Sequence, residues 1–274
     1  MPNYVKNLVS FKGTKEDCEK MIAFLKQGDR TELDFNLLIP EPEDLTTADA
    51  PSDETGVAIG EYLMDGTFES LQLKPFMYSS VKVEMESTLN RTFQTDRELV
   101  KAYMAYLLEK PYLQDNYWKR CIRWYSNLKK YGYTDWYSWR VDNWGTKWNA
   151  CEPDSLDILN PVKDVTNDNY YYMEYHFDTA WSMPDGIYKA LSTMFPEVII
   201  DVEYADEDLG QNCGKVIYKN GEVSKETIYD GSTKEAYEFA IAVWEDYDLL
   251  NYIKQDDNGN WYIDMDAYYD GGEA

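Results

Sequence analysis

Residues of the types that most often do chemistry are sparse in this sequence. His176 is the single histidine, and no nucleophile-elbow motif accompanies it. No GxxxxGK or GxGxxG run is present to bind phosphates. The four cysteines are widely separated and form no CxxC pair, so neither a zinc site nor a disulfide framework is predicted. The sequence therefore predicts no catalytic residue, no metal site and no cofactor, and we interpret the protein as a binding protein rather than an enzyme.

An acidic run offers one candidate binding site. Asp206, Glu207, Asp208 and Gly210 resemble part of a calcium loop, but an EF-hand needs glycine where Gln211 stands. We interpret these carboxylates as a partner-binding surface instead. Its predicted members are Glu203, Asp206, Glu207 and Asp208.

A second candidate is the tryptophan-rich run Asn143-Trp-Gly-Thr-Lys-Trp-Asn-Ala150. Indole rings beside a lysine can stack on and pair with a nucleotide or a sugar. Alternatively, a tight turn at Gly145 buries both rings as a structural motif, which we favour. The residues with either a ligand-binding or a structural role are Trp144, Lys147, Trp148, Asp178 and Trp181. An enzyme acting on a small molecule or nucleotide, centred on this run, is the alternative function.

Charge is distributed unevenly along the chain. The whole sequence carries 26 Lys and Arg against 51 Asp and Glu, a net charge of −25. Residues 152–274 account for −21 of it, whereas residues 91–151 have a net charge of +5. The acidic half should repel nucleic acid and anionic membranes and attract basic protein surfaces. Solubility alone is the simpler explanation of such acidity.

Hydrophobic periodicity and turn residues predict the elements that position these residues. The chain opens as β-α-β, with strands at 4–11 and 34–40 around a helix at 15–26. A helical middle follows, then a second β-α-β, a hairpin, a helix and a final hairpin. The predicted later elements are helices at 96–108, 113–131, 135–143, 184–194 and 233–246, strands at 170–177, 198–204, 214–219 and 222–229, and a hairpin at 252–264; residues 268–274 are expected to fray.

This element order predicts an α+β fold. The expected architecture is a ferredoxin-like antiparallel sheet with helices on one face and a helical insertion. Residues 3–40 and 170–205 should contribute strands to one sheet. We divide the chain into an N-terminal β-α-β and loop region (1–90), a weakly basic helical insertion (91–151) and an acidic ferredoxin-like region (152–274).

Four runs are too particular to be generic, and they resemble the YubB-like family of plasmid- and phage-borne proteins. They are Pro2-Asn-Tyr-Val-Lys-Asn7, Asn143–Ala150, Phe177-Asp-Thr-Ala-Trp-Ser182 and Glu203-Tyr-Ala-Asp-Glu-Asp-Leu-Gly210. The resemblance covers residues 2–40 and 115–222. It implies a ferredoxin-like C-terminal part and a mobile-element origin, and it transfers no activity and no functional residue.

The leading hypothesis is an accessory protein that acts in the bacterial cytoplasm and binds a basic host or element protein. Its most concrete form is a DNA mimic that inhibits a host defence such as CRISPR or restriction. No binding to free nucleic acid or to membranes is expected, and the oligomeric state is not predicted. The opposing alternative is nucleic-acid binding by the basic middle, through Lys119, Arg120, Arg123, Lys129 and Lys130.

Overall fold

The computed structural model of this chain divides into two compact units. One unit comprises Met1–Pro40 and Arg140–Ala274, and the other comprises Glu41–Trp139. The second unit is therefore inserted into the first. The residues that the structure describes are 3–67, 75–165, 167 and 169–271.

The described residues form the following strands and helices. The strands are β1 (Tyr4–Gly13), β2 (Val162–Lys163), β3 (Tyr171–Ala180), β4 (Ile199–Asp206), β5 (Cys213–Lys219), β6 (Glu222–Ile228), β7 (Ile253–Gln255) and β8 (Trp261–Ile263). The helices are α1 (Lys15–Leu25), α2 (Glu43–Thr46), α3 (Glu54–Asp65), α4 (Pro75–Leu89), α5 (Asp96–Leu108), α6 (Pro111–Tyr131), α7 (Trp136–Trp144), α8 (Asp185–Met194), α9 (Lys234–Trp244) and α10 (Met265–Gly271).

Six strands form one antiparallel sheet in the order β2-β3-β1-β4-β5-β6. The central strand β1 pairs with β3 on one side and with β4 on the other. The predicted sharing of one sheet by residues 3–40 and 170–205 is confirmed for β1, β3 and β4, as is the α+β, ferredoxin-like fold class. A separate hairpin of β7 and β8 confirms the hairpin predicted at 252–264.

Alternation along β1 separates a buried face from a partly open one. Val5, Val9 and Phe11 are buried on the first face, because successive side chains of a strand point to opposite sides. Helix α8 packs on this face, where Tyr188 lies against the ring of Phe177 on β3. Helix α1 lies beside the end of α8, since the rings of Phe24 and Phe195 are 5.6 Å apart.

Helix α9 lies on the opposite face of the sheet. Its residues Ala236 and Ala240 are buried against Ala205 of β4 and Cys213 of β5, which are paired partners on that face. The indole of Trp244 donates hydrogen bonds to the carbonyls of residues 205 and 206. These contacts cover one end of the second face and leave the rest of it open. The sequence predicts helices on one face of the sheet, and α9 is an additional helix on the other face.

The prediction of a strand at residues 34–40 is wrong. Phe35–Leu37 form a single 3-10 turn, and the Asp34 carboxylate caps it by accepting the backbone N–H of Asn36. The buried Phe35 donates a further hydrogen bond from its backbone N–H to the side-chain oxygen of Asn149. Local capping and this distant partner together satisfy the backbone groups that a strand would have used.

The inserted unit is built on the close approach of α3 and α6. A Cβ atom on Gly60 would lie 2.1 Å from the carbonyl oxygen of Cys121, so only glycine permits this spacing. Ile59, Val100 and Trp124 belong to the shared core. Because α3 packs on α6, the compact unit begins at residue 41 and ends at 139, rather than at the division of 91–151 drawn from the sequence.

The helical middle agrees with prediction in its elements. Helices α5, α6 and α7 cover the segments predicted at 96–108, 113–131 and 135–143. Across the described ranges, no helix has both the length and the apolar character needed to cross a membrane. Helix α10 covers the first part of the tail that was expected to fray, and residues 272–274 lie outside the described residues.

Candidate functional site

The predicted acidic surface does not form as one face, because Asp206 is used internally. Its side chain is 6% exposed and accepts hydrogen bonds from the side chains of Asn3 and Asn212 and from the N–H of Asp208. These bonds tie the start of β1 to the turn between β4 and β5. Asp206 is therefore a structural residue, and its prediction as a partner contact is corrected.

The other three predicted carboxylates occupy two different places. Glu203 lies on the open part of the sheet and bonds the ammonium of Lys215 at 2.8 Å. Glu207 and Asp208 are exposed in the turn after β4, where Glu207 accepts the N–H of Tyr4 at 3.0 Å. Ala205, covered by α9, lies between the two places along the strand.

Glu203 belongs to a shallow depression on the open part of the sheet. Cross-strand pairing places Ser10 of β1 opposite both Glu174 and Asp201, and places Glu203 opposite Lys215. The depression has a volume of about 290 Å³. The polar residues that line it are Ser10, Glu174, Asp201, Glu203 and Lys215.

The carboxylates of this depression outnumber its single cation. Lys215 is 3.3 Å from Asp201 and 2.8 Å from Glu203. Partial burial opposes the charge of Lys215, but its bond to Glu203 and the charge of Asp201 outweigh burial and raise the pKa of the ammonium. Glu174 is exposed, and no ion pair to it is found among the described residues. A net negative charge thus remains at the centre of an open sheet face.

Sequence reasoning missed Glu174, Asp201 and Ser10. The signal that could have found them is the period-two alternation of β3 and β4, which places Asp201 on the same face as Glu203. The alternation alone does not show which strands are neighbours, and only the register brings these three residues together.

In the tryptophan-rich run, Trp144 serves the core. The residue is fully buried, and its indole N–H donates to the carbonyl of Ile39 at 2.9 Å. Asn149 holds the same stretch, because its amide group bonds the Asp34 carboxylate and the N–H of Phe35. Trp144 is therefore part of the core, and a ligand could not reach this ring.

Lys147, Trp148 and Trp181 come together at the surface. The Lys147 ammonium lies 4.4 Å from the ring centroid of Trp181 and 5.0 Å from that of Trp148. Trp181 is 42% exposed and adopts a left-handed backbone with φ of 72°. The lysine therefore already forms cation–π contacts with both indoles.

Asp178 lies opposite Lys6 in the sheet. Burial raises the pKa of the Asp178 carboxyl; Lys6 opposes this rise, and the nearby carboxylates of Glu152 and Glu207 add to it. The backbone of Cys151 pairs with that of Asp178, and burial with the Asp178 charge raises the pKa of the Cys151 thiol. A thiol with a raised pKa is a poor nucleophile at neutral pH.

The basic residues of α6 fall into two groups. Lys129 pairs with Asp65 at 2.9 Å and Lys130 with Asp44 at 2.7 Å. The other three line a depression of about 470 Å³ with Asn116 and Asp49. Its basic residues are Lys119, Arg120 and Arg123. Among the residues that the structure describes, no group of three or more potential metal ligands is found.

Comparison with known proteins finds one family that is similar to part of the chain. Residues 164–245 match the family model described as the ferredoxin-like domain in Api92-like protein, which is less than one third of the chain. The protein api92 from Yersinia pseudotuberculosis is similar in structure at 11% sequence identity and a TM-score of 0.36. That comparison covers 85% of this chain and 100% of that one, and a similarity at this level supports no functional argument. No curated protein matches the chain. The matched residues run from the end of β2 through α9, and this part of the chain is similar to the ferredoxin-like domain of Api92-like protein.

Proposed function

We propose that this protein binds a basic partner protein through the open acidic depression of its sheet. The observation that carries the proposal is the grouping of Glu174, Asp201 and Glu203 around the single cation Lys215. The surrounding unit, residues 1–40 and 140–274, has 35 acidic and 15 basic residues and a net charge of −20. A lysine or arginine of the partner would complete the charge balance that Lys215 leaves incomplete.

The depression suits recognition of an exposed cationic side chain. It is shallow, so a partner's charged group loses little of its hydration there, and the desolvation cost is smaller than for a buried ion pair. The negative potential of the unit would also accelerate association with a basic surface and make the rate depend on salt. The strands fix the carboxylates in place, since each lies within the paired register.

The more specific form of the proposal concerns the kind of partner. A nucleic-acid-binding protein of the host presents a basic surface, and an acidic protein could occupy it as a DNA mimic. A host defence complex such as CRISPR or restriction would fit this role, with the protein acting in the bacterial cytoplasm. The acidic excess and the resemblance to the plasmid- and phage-borne YubB-like family support this form. The same proposal includes the expectation that the acidic face does not bind free nucleic acid.

The test compares two double variants in pull-downs from a bacterial host lysate. Glu174→Gln with Glu203→Gln removes two charges from the depression and leaves Asp201 to pair with Lys215. Glu222→Gln with Glu226→Gln removes two charges from exposed positions of β6 and serves as the matched control. We expect a basic protein, identified by mass spectrometry, that the wild type and the control retain and the first variant loses.

Two results would overturn the proposal. One is the absence of any basic protein whose retention differs between the two variants. The other is a partner whose association rate is unchanged both by salt and by removal of Glu174 and Glu203. In either case the acidity would serve solubility alone.

A further inference from the structure

We propose that the depression between α6 and the segment Thr47–Asp49 binds the phosphate groups of a small phosphorylated ligand. It lies wholly within the unit of residues 41–139. The proposal is therefore independent of the acidic sheet face. The residues that line the depression are Asp49, Asn116, Lys119, Arg120 and Arg123.

Helical spacing brings the cations to one side of α6. Residues 119, 120 and 123 lie three, four and seven positions after residue 116, so all four share one face of the helix. Asn116, Lys119 and Arg123 are exposed, and Arg120 is half-buried between them. Three cations and an amide donor therefore face the same volume, with Asp49 as the one carboxylate that lines it.

Arg120 is held ready to receive an anion. Its guanidinium lies 5.4 Å from the ring of Tyr117 and 5.8 Å from the ring of Trp124, and these cation–π contacts restrain it. Its Nε is buried and has no hydrogen-bond partner among the described residues. The carboxylate of Asp49 is 3.9 Å from that atom, which is beyond hydrogen-bonding distance. Asp49 therefore forms only a loose ion pair with Arg120, which leaves positive charge to attract a phosphate in the depression.

The opposite wall is fixed by two hydrogen bonds from α6. Arg123 donates from Nη1 to the carbonyl of Thr47 at 2.8 Å, and Trp124 donates from its indole to the carbonyl of Asp49 at 2.8 Å. The depression is therefore bounded by a helix and a tethered segment. A preformed site of this kind requires little ordering when a ligand binds.

Size and charge favour a small ligand over a nucleic acid. A volume of about 470 Å³ is within the range of about 300–1,000 Å³ for small-molecule sites. Specific recognition of duplex DNA buries about 1,000 Å² or more of protein surface. The chain carries a net charge of −25 and would repel an extended polyanion, whereas two or three phosphates can be neutralised locally. Guanidinium groups bind phosphate oxygens in pairs.

Isothermal titration calorimetry with pyrophosphate tests the proposal on the full chain. We expect saturable binding by the wild type and a loss of affinity of about tenfold or more in Lys119→Gln and in Arg120→Gln. Lys129→Gln, on the same helix but paired with Asp65, is the matched control and should bind as the wild type does. Lys119 is exposed, so its variant should fold normally, and thermal unfolding of each variant verifies this.

Titrations with ADP and with a sugar phosphate distinguish the sources of the phosphate. Tighter binding of ADP than of pyrophosphate and the sugar phosphate would assign a nucleotide. Tighter binding of the sugar phosphate than of pyrophosphate and ADP would assign a phosphorylated sugar. The proposal is overturned by the absence of saturable binding of all three, or by an equal loss in Lys129→Gln. Tighter binding of a single-stranded oligonucleotide than of any small ligand would also overturn it, in favour of nucleic-acid binding by α6.

Discussion

The sheet depression and the α6 depression are both charged concavities, but they balance charge in opposite ways. On the sheet, Asp201 and Glu203 share Lys215, and the acidic surplus belongs to a unit of 35 acidic and 15 basic residues. On α6, Arg120 and its neighbours form a cationic group in a unit of 16 acidic and 11 basic residues. The sign of a local site can therefore oppose the net charge of the unit that carries it. Net charge describes long-range attraction, whereas ligand chemistry depends on which few side chains converge.

The largest expected effect tests whether the α6 depression depends on the packing of α3. Gly60→Ala would place a methyl group 2.1 Å from the carbonyl oxygen of Cys121 and force the helices apart. We expect the free energy of unfolding to fall by about 3 kcal/mol, as for severe overpacking, and pyrophosphate binding to be lost. Chemical denaturation measures the first effect and calorimetry the second.

Gly66→Ala is the control, because it meets open space at a φ of 73° and should cost only about 1 kcal/mol. Equal costs for the two variants would contradict the assignment of a close helix contact.

A smaller effect distinguishes the structural carboxylate Asp206 from the surface carboxylate Glu203 on β4. Asp206→Ala removes an acceptor from the amides of Asn3 and Asn212, and we expect a loss of about 2 kcal/mol in the free energy of unfolding. Glu203→Gln can keep a hydrogen bond to Lys215 on the open face and should cost less than about 1 kcal/mol. Urea denaturation of both variants measures the difference. If Glu203→Gln costs as much as Asp206→Ala, the two residues do not have the separate roles assigned to them.

The smallest effect concerns Asp178, whose pKa is raised mainly by burial. A carboxyl with a raised folded-state pKa is destabilising when charged, and this cost disappears as the pH falls through that pKa towards the ordinary value of 3.8. Asp178→Asn should therefore stabilise the protein at neutral pH, by no more than about 1 kcal/mol because the site is partly exposed to solvent. The gain should vanish near pH 3.8. Urea midpoints measured across this pH range provide the test, and a gain that is independent of pH would rule out the electrostatic explanation.

The two depressions differ in how far sequence predicts them. The basic face of α6 follows from spacing alone, because Lys119, Arg120 and Arg123 lie on a helix that hydrophobic periodicity predicts. The acidic depression requires the register of three strands, and Glu174 is separated from Asp201 by a helix and two loops. Long-range pairing is set by tertiary packing, so the carboxylates of the sheet face could not be selected in advance.

Other differences have equally local causes. The apolar stretch at 34–40 has the composition of a strand, but Asp34 and Asn149 supply hydrogen bonds that favour a turn. Asp206 lies in an acidic run that looks exposed, and only the folded hairpin shows that Asn3 and Asn212 enclose it. Periodicity predicts helices well because it depends on neighbours three and four residues away. The turn after Asp34 and the burial of Asp206 depend instead on partners from distant segments.

The hydrogen bonds that join residues 34–39 to residues 144–149 also bear on how the chain tolerates changes of length. They tie together the two points at which the inserted unit leaves and re-enters the sheet unit, through Trp144 with Ile39 and Asn149 with Phe35. For a flexible connection, the entropy of closing a loop grows only with the logarithm of its length, about 0.6 kcal/mol for each doubling. The closure is made inside the sheet unit itself, so its enthalpy does not depend on what the loop contains. An insertion anchored in this way can lengthen, shorten or be exchanged for another during evolution while the sheet retains its register.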